Sequence, residues 1–471
     1  MHNLWQALPQ IFASAVGSPL GILGLAIVAI SFVGYRIFLR TSERNKLIFF
    51  GMLIAGVSMF AFAALNTSTG PLARSVVLKS AAEAWIKTAK AARVSGSIVS
   101  GSMVPEPVSS ARAVFERAWQ ASSEAERNGL SEQVAYDALS LTSKVYRAQE
   151  FKSTEKPSSF RWIDEAIRVF SDRNSANFLI ESLMDRIGLC LDVTQLASPD
   201  RELFGRNRES CVASINQLSN IVDDARKADA FRLSSRFLYD SARPDTNRLD
   251  AQWNNEDLLA SYAYAEKAVQ AAPSELKNAT QLARVTVRAS KNTPQDVDPE
   301  WGRKLRSAKD RLKSLWVQKA HTLQLGVARL PALNNLGVVA LEVVNREWRG
   351  APLAQRPSLA PTLLAELDSD AIDILREAIV LLDASENAKS HGFDVRFDLA
   401  RALANRVVLL KQTNPHLSDA TFNELKALMK NASERATAEQ LKSALANVRG
   451  DSSFTLLSPL QQKQLVETMS Q

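Results

Sequence analysis

Catalytic signatures are missing from this sequence. It has no G-x-x-x-x-G-K-[ST] phosphate loop, no H-E-x-x-H metal pair, no C-x-x-C and no G-x-S-x-G nucleophile turn. Histidine is scarce, and His2, His321, His391 and His416 are too far apart to suggest a metal site or an acid–base pair. The acidic neighbours Asp223–Asp224 and Glu256–Asp257 diverge around a helix axis, so they cannot face one another as a carboxylate pair and read as solvated surface. The sequence therefore predicts no enzyme, no cofactor and no metal. Strand patterning is absent too. No run alternates apolar and polar residues convincingly, and the composition is rich in Ala, Leu, Arg, Glu, Ser and Gln, with only 18 Gly and 17 Pro in 471 residues. That predicts an all-α chain.

Charge is missing from the N-terminal region. Asn3 to Tyr35 contains no Lys, Arg, Asp or Glu, and a second apolar run covers Leu47 to Leu65. Each is about the twenty residues a helix needs to cross a hydrocarbon core, and only a helix satisfies its own backbone there. Residues 1–18 carry no basic residue, so a cleaved leader is disfavoured and residues 19–65 read as a two-helix membrane hairpin. The turn between the spans holds Arg36, Arg40, Arg44 and Lys46, whereas the twenty residues after Leu65 hold Arg74 and Lys79. Basic turns stay on the cytoplasmic side, so both termini are expected outside it, in a bacterial periplasm. Gly17 and Gly21 stand four apart, a spacing that allows close helix approach in lipid and self-association.

Beyond a flank at 1–18 and the hairpin, residues 66–93 read as a juxtamembrane amphipathic helix. Val77, Ala81, Ala84, Trp85 and Thr88 would form its apolar face. Residues 94–110 are rich in Gly, Ser and Pro and read as a flexible linker. A helical domain is expected at 111–245 and a second at 246–471. Helices are predicted at 111–127, 131–150, 160–171, 175–196, 208–238, 255–271, 275–290, 299–328, 331–347, 361–384, 393–412, 419–430, 435–448 and 459–469, joined by short breaks and so folded as antiparallel hairpins. The 299–328 helix has an apolar stripe from Trp301 to Trp316 and a basic side with Arg303, Arg306, Lys309 and Lys313, expected in solvent or against an anionic surface. Cys190 and Cys211 flank one turn. They are either a disulfide, as an oxidising compartment would permit, or two buried thiols. The formal net charge of +7 is a mild excess spread over many helices.

Two segments carry a small residue, a large residue, an Ala and a helix stop at recurring offsets. Ser261, Ala265, Ala268 and Pro273 are one set, and Ala371, Leu375, Ala378 and Asp383 the other. The pair Leu336–Gly337 stands in LNNLGVVAL. These positions resemble degenerate tetratricopeptide repeats, although Ala268 and Ala378 are 110 residues apart (378 − 268), not a multiple of 34. The resemblance implies an α-solenoid whose concave face binds a protein or peptide; an irregular array of helical hairpins is the other fold reading. Together these features predict a membrane-anchored helical-repeat adaptor that binds no nucleic acid. A membrane effector or sensor acting through its spans is the alternative.

Overall fold

The computed structural model describes residues 71–94, 106–150, 158–195, 201–243, 253–292, 300–319, 329–384, 388–451 and 453–470. Both apolar runs, the basic turn with Arg36, Arg40, Arg44 and Lys46, and most of the 94–110 segment lie outside them. Among the described residues no helix is long and apolar enough to cross a membrane, and there is no strand. The helices are α1 Pro71–Val94, α2 Glu106–Ala121, α3 Glu124–Asn128, α4 Glu132–Glu150, α5 Ser158–Asp172, α6 Ala176–Gln195, α7 Arg201–Ile221, α8 Lys227–Ser241, α9 Asn255–Ala271, α10 Leu276–Asn292, α11 Glu300–Lys319, α12 Arg329–Gly350, α13 Arg356–Leu367, α14 Asp373–Asp383, α15 Ala388–Thr413, α16 Pro415–Glu434, α17 Ala438–Gly450 and α18 Pro459–Ser470. A π turn, Asp368–Ile372, joins α13 to α14. The chain divides into two compact units, one ending at Asp185 and one starting at Arg186, whereas the sequence places the break at 245.

In the first unit α1 is a core helix, which corrects the juxtamembrane reading. Its buried stripe is Leu78, Ala81, Ala82, Trp85 and Ala89, while Val77 and Ala84 face solvent. Trp85 donates from Nε1 to the Ala138 carbonyl at 3.2 Å and to Thr142 Oγ1 at 3.0 Å on α4. A buried indole satisfied inside the protein is not available to a headgroup layer. Helix also begins at Glu106, inside the expected linker. The expected 111–127 helix is broken after Ala121. There Ser123 caps α3, accepting from Glu126 N while Glu126 accepts from Ser123 N in return.

The second unit is an array of helical hairpins. The expected 208–238 helix is two helices, because Asp223 accepts from the Arg226 backbone N–H at 2.9 Å and turns the chain before α8. From α8 to α12 each helix packs on the next, and the alternate helices α8, α10 and α12 also touch in turn. Helix α12 reaches further to α15. The first helices of successive hairpins start at Lys227, Leu276, Arg329 and Ala388, which are 49, 53 and 59 residues apart (276 − 227, 329 − 276, 388 − 329). The 110 residues from Ala268 to Ala378 are thus two hairpins. The third hairpin is long because α13 is inserted between α12 and α14.

The repeated small residues sit where helices approach. Ala265, Ala268, Ala371 and Ala378 are wholly buried, as is Leu375, and Leu336 is 1% exposed. Pro273 lies in the exposed turn after α9. The frayed α9 carbonyls of Ala268 and Ala272 are taken by Asn278 Nδ2 at 3.1 and 3.4 Å. Gly337 on α12 is crossed by Leu375 of α14 so closely that a Cβ there would lie 2.5 Å from Leu375 Cγ. Gly337→Ala should therefore lower the thermal stability. Overpacking costs about 1–3 kcal/mol, more than the 0.5–1 kcal/mol or so an Ala gains in a helix. In a Leu375→Ala background the same change should become neutral or stabilising, as read by circular dichroism melts of both pairs.

Candidate functional site

The polar face of α10 repeats at Lys277, Gln281, Arg284, Arg288 and Lys291, spaced to fall on one side of the helix. The opposite positions Leu276, Ala279, Ala283 and Val287 belong to the core shared with α11 and α12. Helix α8 brings Arg232, Arg236, Tyr239 and Asp240 alongside, and Arg243 follows just beyond its end. Lys277 reaches Asp229 at 2.7 Å, Arg284 reaches Asp240 at 3.7 Å, and Gln281 donates to Ser235 Oγ at 3.0 Å.

Aromatic rings form the floor of this face. Tyr239 and Trp253 stand 5.4 Å apart, Arg284 lies 4.3 Å over Tyr239, and Arg288 lies 4.3 Å over Trp253. Arg243 approaches Tyr239 from another side at 5.6 Å. A guanidinium stacked on a ring keeps its N–H edge free to donate. Among the described residues six cations, Arg232, Arg236, Arg243, Lys277, Arg284 and Arg288, gather here with three carboxylates, Asp192, Asp229 and Asp240. The excess is felt locally. Burial alone would raise the Tyr239 phenol, yet Arg284, Arg288 and Arg243 together hold it below its usual value. Burial lowers Arg236, and Arg232 and Arg284 lower it further, against Asp240 and Asp192. Arg288 Nε is buried without a hydrogen-bond acceptor.

Two buried ion networks elsewhere are structural. On α11, Lys309 is 4% exposed, not solvated as its basic helix suggests. It pairs with Glu366, and with Asp370 at 3.2 Å; Lys313 meets the same Asp370 at 2.6 Å. The burial cost of Lys309 is outweighed by these carboxylates, so its ammonium is held above the usual range. Arg401 of α15 meets Asp451 at 3.1 Å, Asp398 at 3.0 Å and Glu342 at 3.7 Å, and Lys291 meets Glu342 at 3.5 Å. This network ties α10, α12 and α15 to the turn after α17. Asp257 is another correction: it is 4% exposed and accepts from Arg208 at 2.5 Å and Ser241 at 2.6 Å.

Two open hollows lie among the described residues of the second unit. One, about 440 Å³, lies between α7, α8 and α9 and includes Arg208, Asn216, Asp257 and Tyr264. The other, about 670 Å³, runs along α11 with Arg303, Ser307, Arg311 and Ser314 against Pro273. Among the described residues no group of three His, Cys, Asp or Glu could hold a metal ion, and His416 is exposed. Cys190 and Cys211 are joined by a disulfide with Cα atoms 6.3 Å apart, both 1% exposed. The sequence reading missed the arginine–aromatic face. Its signal was the four-residue spacing of Arg232 with Arg236 and of Arg284 with Arg288.

No protein-family model matches the sequence, and no curated protein matches it. Six chains of solved structures match it, among them a circular tandem repeat protein with novel repeat topology and enhanced subunit contact surfaces. The two are 13% identical over 85% of this chain and 98% of the other, with a TM-score of 0.32.

Burial alone would raise Asp451, but Arg401 and Lys291 hold its carboxyl far below the usual carboxylate range. Its contribution to stability is therefore present above the unfolded value and lost as pH falls. Asp451→Asn should destabilise the protein by about 3 kcal/mol at neutral pH, since it leaves buried Arg401 short of a partner. The gap to wild type should shrink below about pH 4, where the unfolded carboxylate takes up its proton. Chemical denaturation across that range measures both.

Proposed function

We propose that this chain is a membrane-anchored, non-catalytic adaptor. Its tetratricopeptide-like hairpin array holds a protein partner outside the cytoplasm of a bacterium. The observation that carries the reading is the arginine–aromatic face on α8 and α10, side by side in the row of alternate helices. Rows of this kind leave one side free of the second helices of the hairpins, and solenoids bind proteins there. The anchor rests on the two uncharged runs and the topology on the four basic residues between them. The Cys190–Cys211 disulfide supports an oxidising compartment, since such bonds persist outside the cytoplasm.

Two measurements test this. A phosphatase fused after Gln471 should be active in intact cells, and reversing the charges at Arg40, Arg44 and Lys46 should weaken that activity; an active cytoplasm-only reporter would overturn the topology. A photocrosslinking residue at position 277, on the polar face of α10, should capture a discrete partner in membranes of cells making the full chain. The same residue at position 353, whose Leu is 77% exposed away from that face, should not. Identical products at both positions, or none at 277, would remove the adaptor reading.

The disulfide closes a stretch of 21 residues. Cys190→Ser with Cys211→Ser should cost about 3 kcal/mol by the loss of loop closure in the unfolded chain. A denaturation midpoint unchanged from wild type would show that the bond does not form in the cell.

A further inference from the structure

We propose that the α8–α10 face is an anion site that docks the side-chain carboxylates of an acidic protein segment, held by Arg236, Arg243, Arg284 and Arg288. This deepens the adaptor reading and rests on it for the partner being a protein.

The geometry gathers guanidinium donors in restrained places. Arg284 and Arg288 lie over the Tyr239 and Trp253 rings at 4.3 Å, contacts that restrict both side chains before a ligand arrives. Among the described residues Arg243 and Arg284 share the Asp240 carboxylate, at 3.2 and 3.7 Å, and each guanidinium carries five N–H donors. Arg288 Nε is buried with no acceptor. Planar guanidinium forks match a carboxylate in two parallel hydrogen bonds.

Other anionic classes fit less well. Nucleic-acid bases and sugars stack on open aromatic faces, but the Tyr239 and Trp253 rings already lie beneath guanidinium groups. A membrane surface is engaged by apolar side chains beside basic ones, and no large apolar side chain of α8 or α10 is exposed. A polypeptide needs neither. It can lie across the row and meet successive arginines with successive Asp or Glu residues.

The test titrates a fluorescein-labelled hexaglutamate peptide into the full chain in detergent. A hexaglutamine peptide and inorganic phosphate serve as comparison and competitor. The glutamate peptide should bind, weaken steeply with salt, and exceed the glutamine peptide by at least about tenfold. Arg284→Gln with Arg288→Gln should lose about tenfold in affinity at an unchanged circular dichroism melt, and Arg236→Gln alone should lose part of it. Arg284→Lys keeps the charge but not the fork, and should fall between wild type and Arg284→Gln. Arg303→Gln with Arg311→Gln, on the α11 groove, should change nothing.

Equal binding of the glutamine peptide overturns the proposal. So does an equal loss from the α11 pair, or displacement by phosphate at concentrations matching the peptide. A partner captured at position 277 without arginine-dependent peptide binding defeats this inference and leaves the adaptor standing. Arginine-dependent binding with no captured partner upholds the anion site and defeats the adaptor.

Discussion

The close crossing of α12 by α14 is the constraint from which the second unit is built. Helix α12 is packed on by α10, α11, α13, α14 and α15, so it has almost no free side. A helix can be enclosed that way only if its own side chains are trimmed where neighbours cross. Gly337 under Leu375 and Ala340 within the C-terminal core meet that need. The polar residues left on α12 are accordingly spent inside the protein: Glu342 faces Arg401 and Lys291, Asn345 donates to Ser453 Oγ at 3.1 Å, and Arg346 donates to Ser290 Oγ at 2.9 Å. Elongated repeats and an extra helix are what allow so central an element to be covered.

Buried charge in this array separates into two kinds. Lys309 and Arg401 are surrounded by at least as many carboxylates as cations, and those networks join helices distant in sequence. Such networks contribute little net stability but strongly penalise any packing that breaks them. The α8–α10 face is the reverse case, with cations in excess and aromatic rings in place of missing carboxylates. Among the described residues that face holds more cations than carboxylates, which contributes little to holding the fold together.

The helical class, the hairpins and most helix positions could be read in the sequence, because apolar spacing and Pro or capping residues act locally. The Ala265, Ala268, Ala371 and Ala378 positions were legible for the same reason: a small residue opposite a neighbour leaves a trace in one segment. What did not show was anything set by partners far along the chain. Lys309 looked like one more surface base, since the carboxylates that bury it, Glu366 and Asp370, come from the inserted helix and its π turn. Asp257 looked exposed for want of Arg208. Trp85 looked amphipathic because its acceptors lie on α4. The arginine–aromatic face needed α8, α10 and Trp253 together, and no single stretch of sequence holds all three.

The Cys190–Cys211 bond has a consequence for chain integrity. A protease cutting anywhere between the two cysteines would sever the backbone but not the molecule. The amino-terminal portion, with its apolar runs, would remain covalently tied to the hairpin array through sulfur. Wherever the bond is formed, it would act as a tether that survives nicking. Only cleavage together with reduction would set the array free.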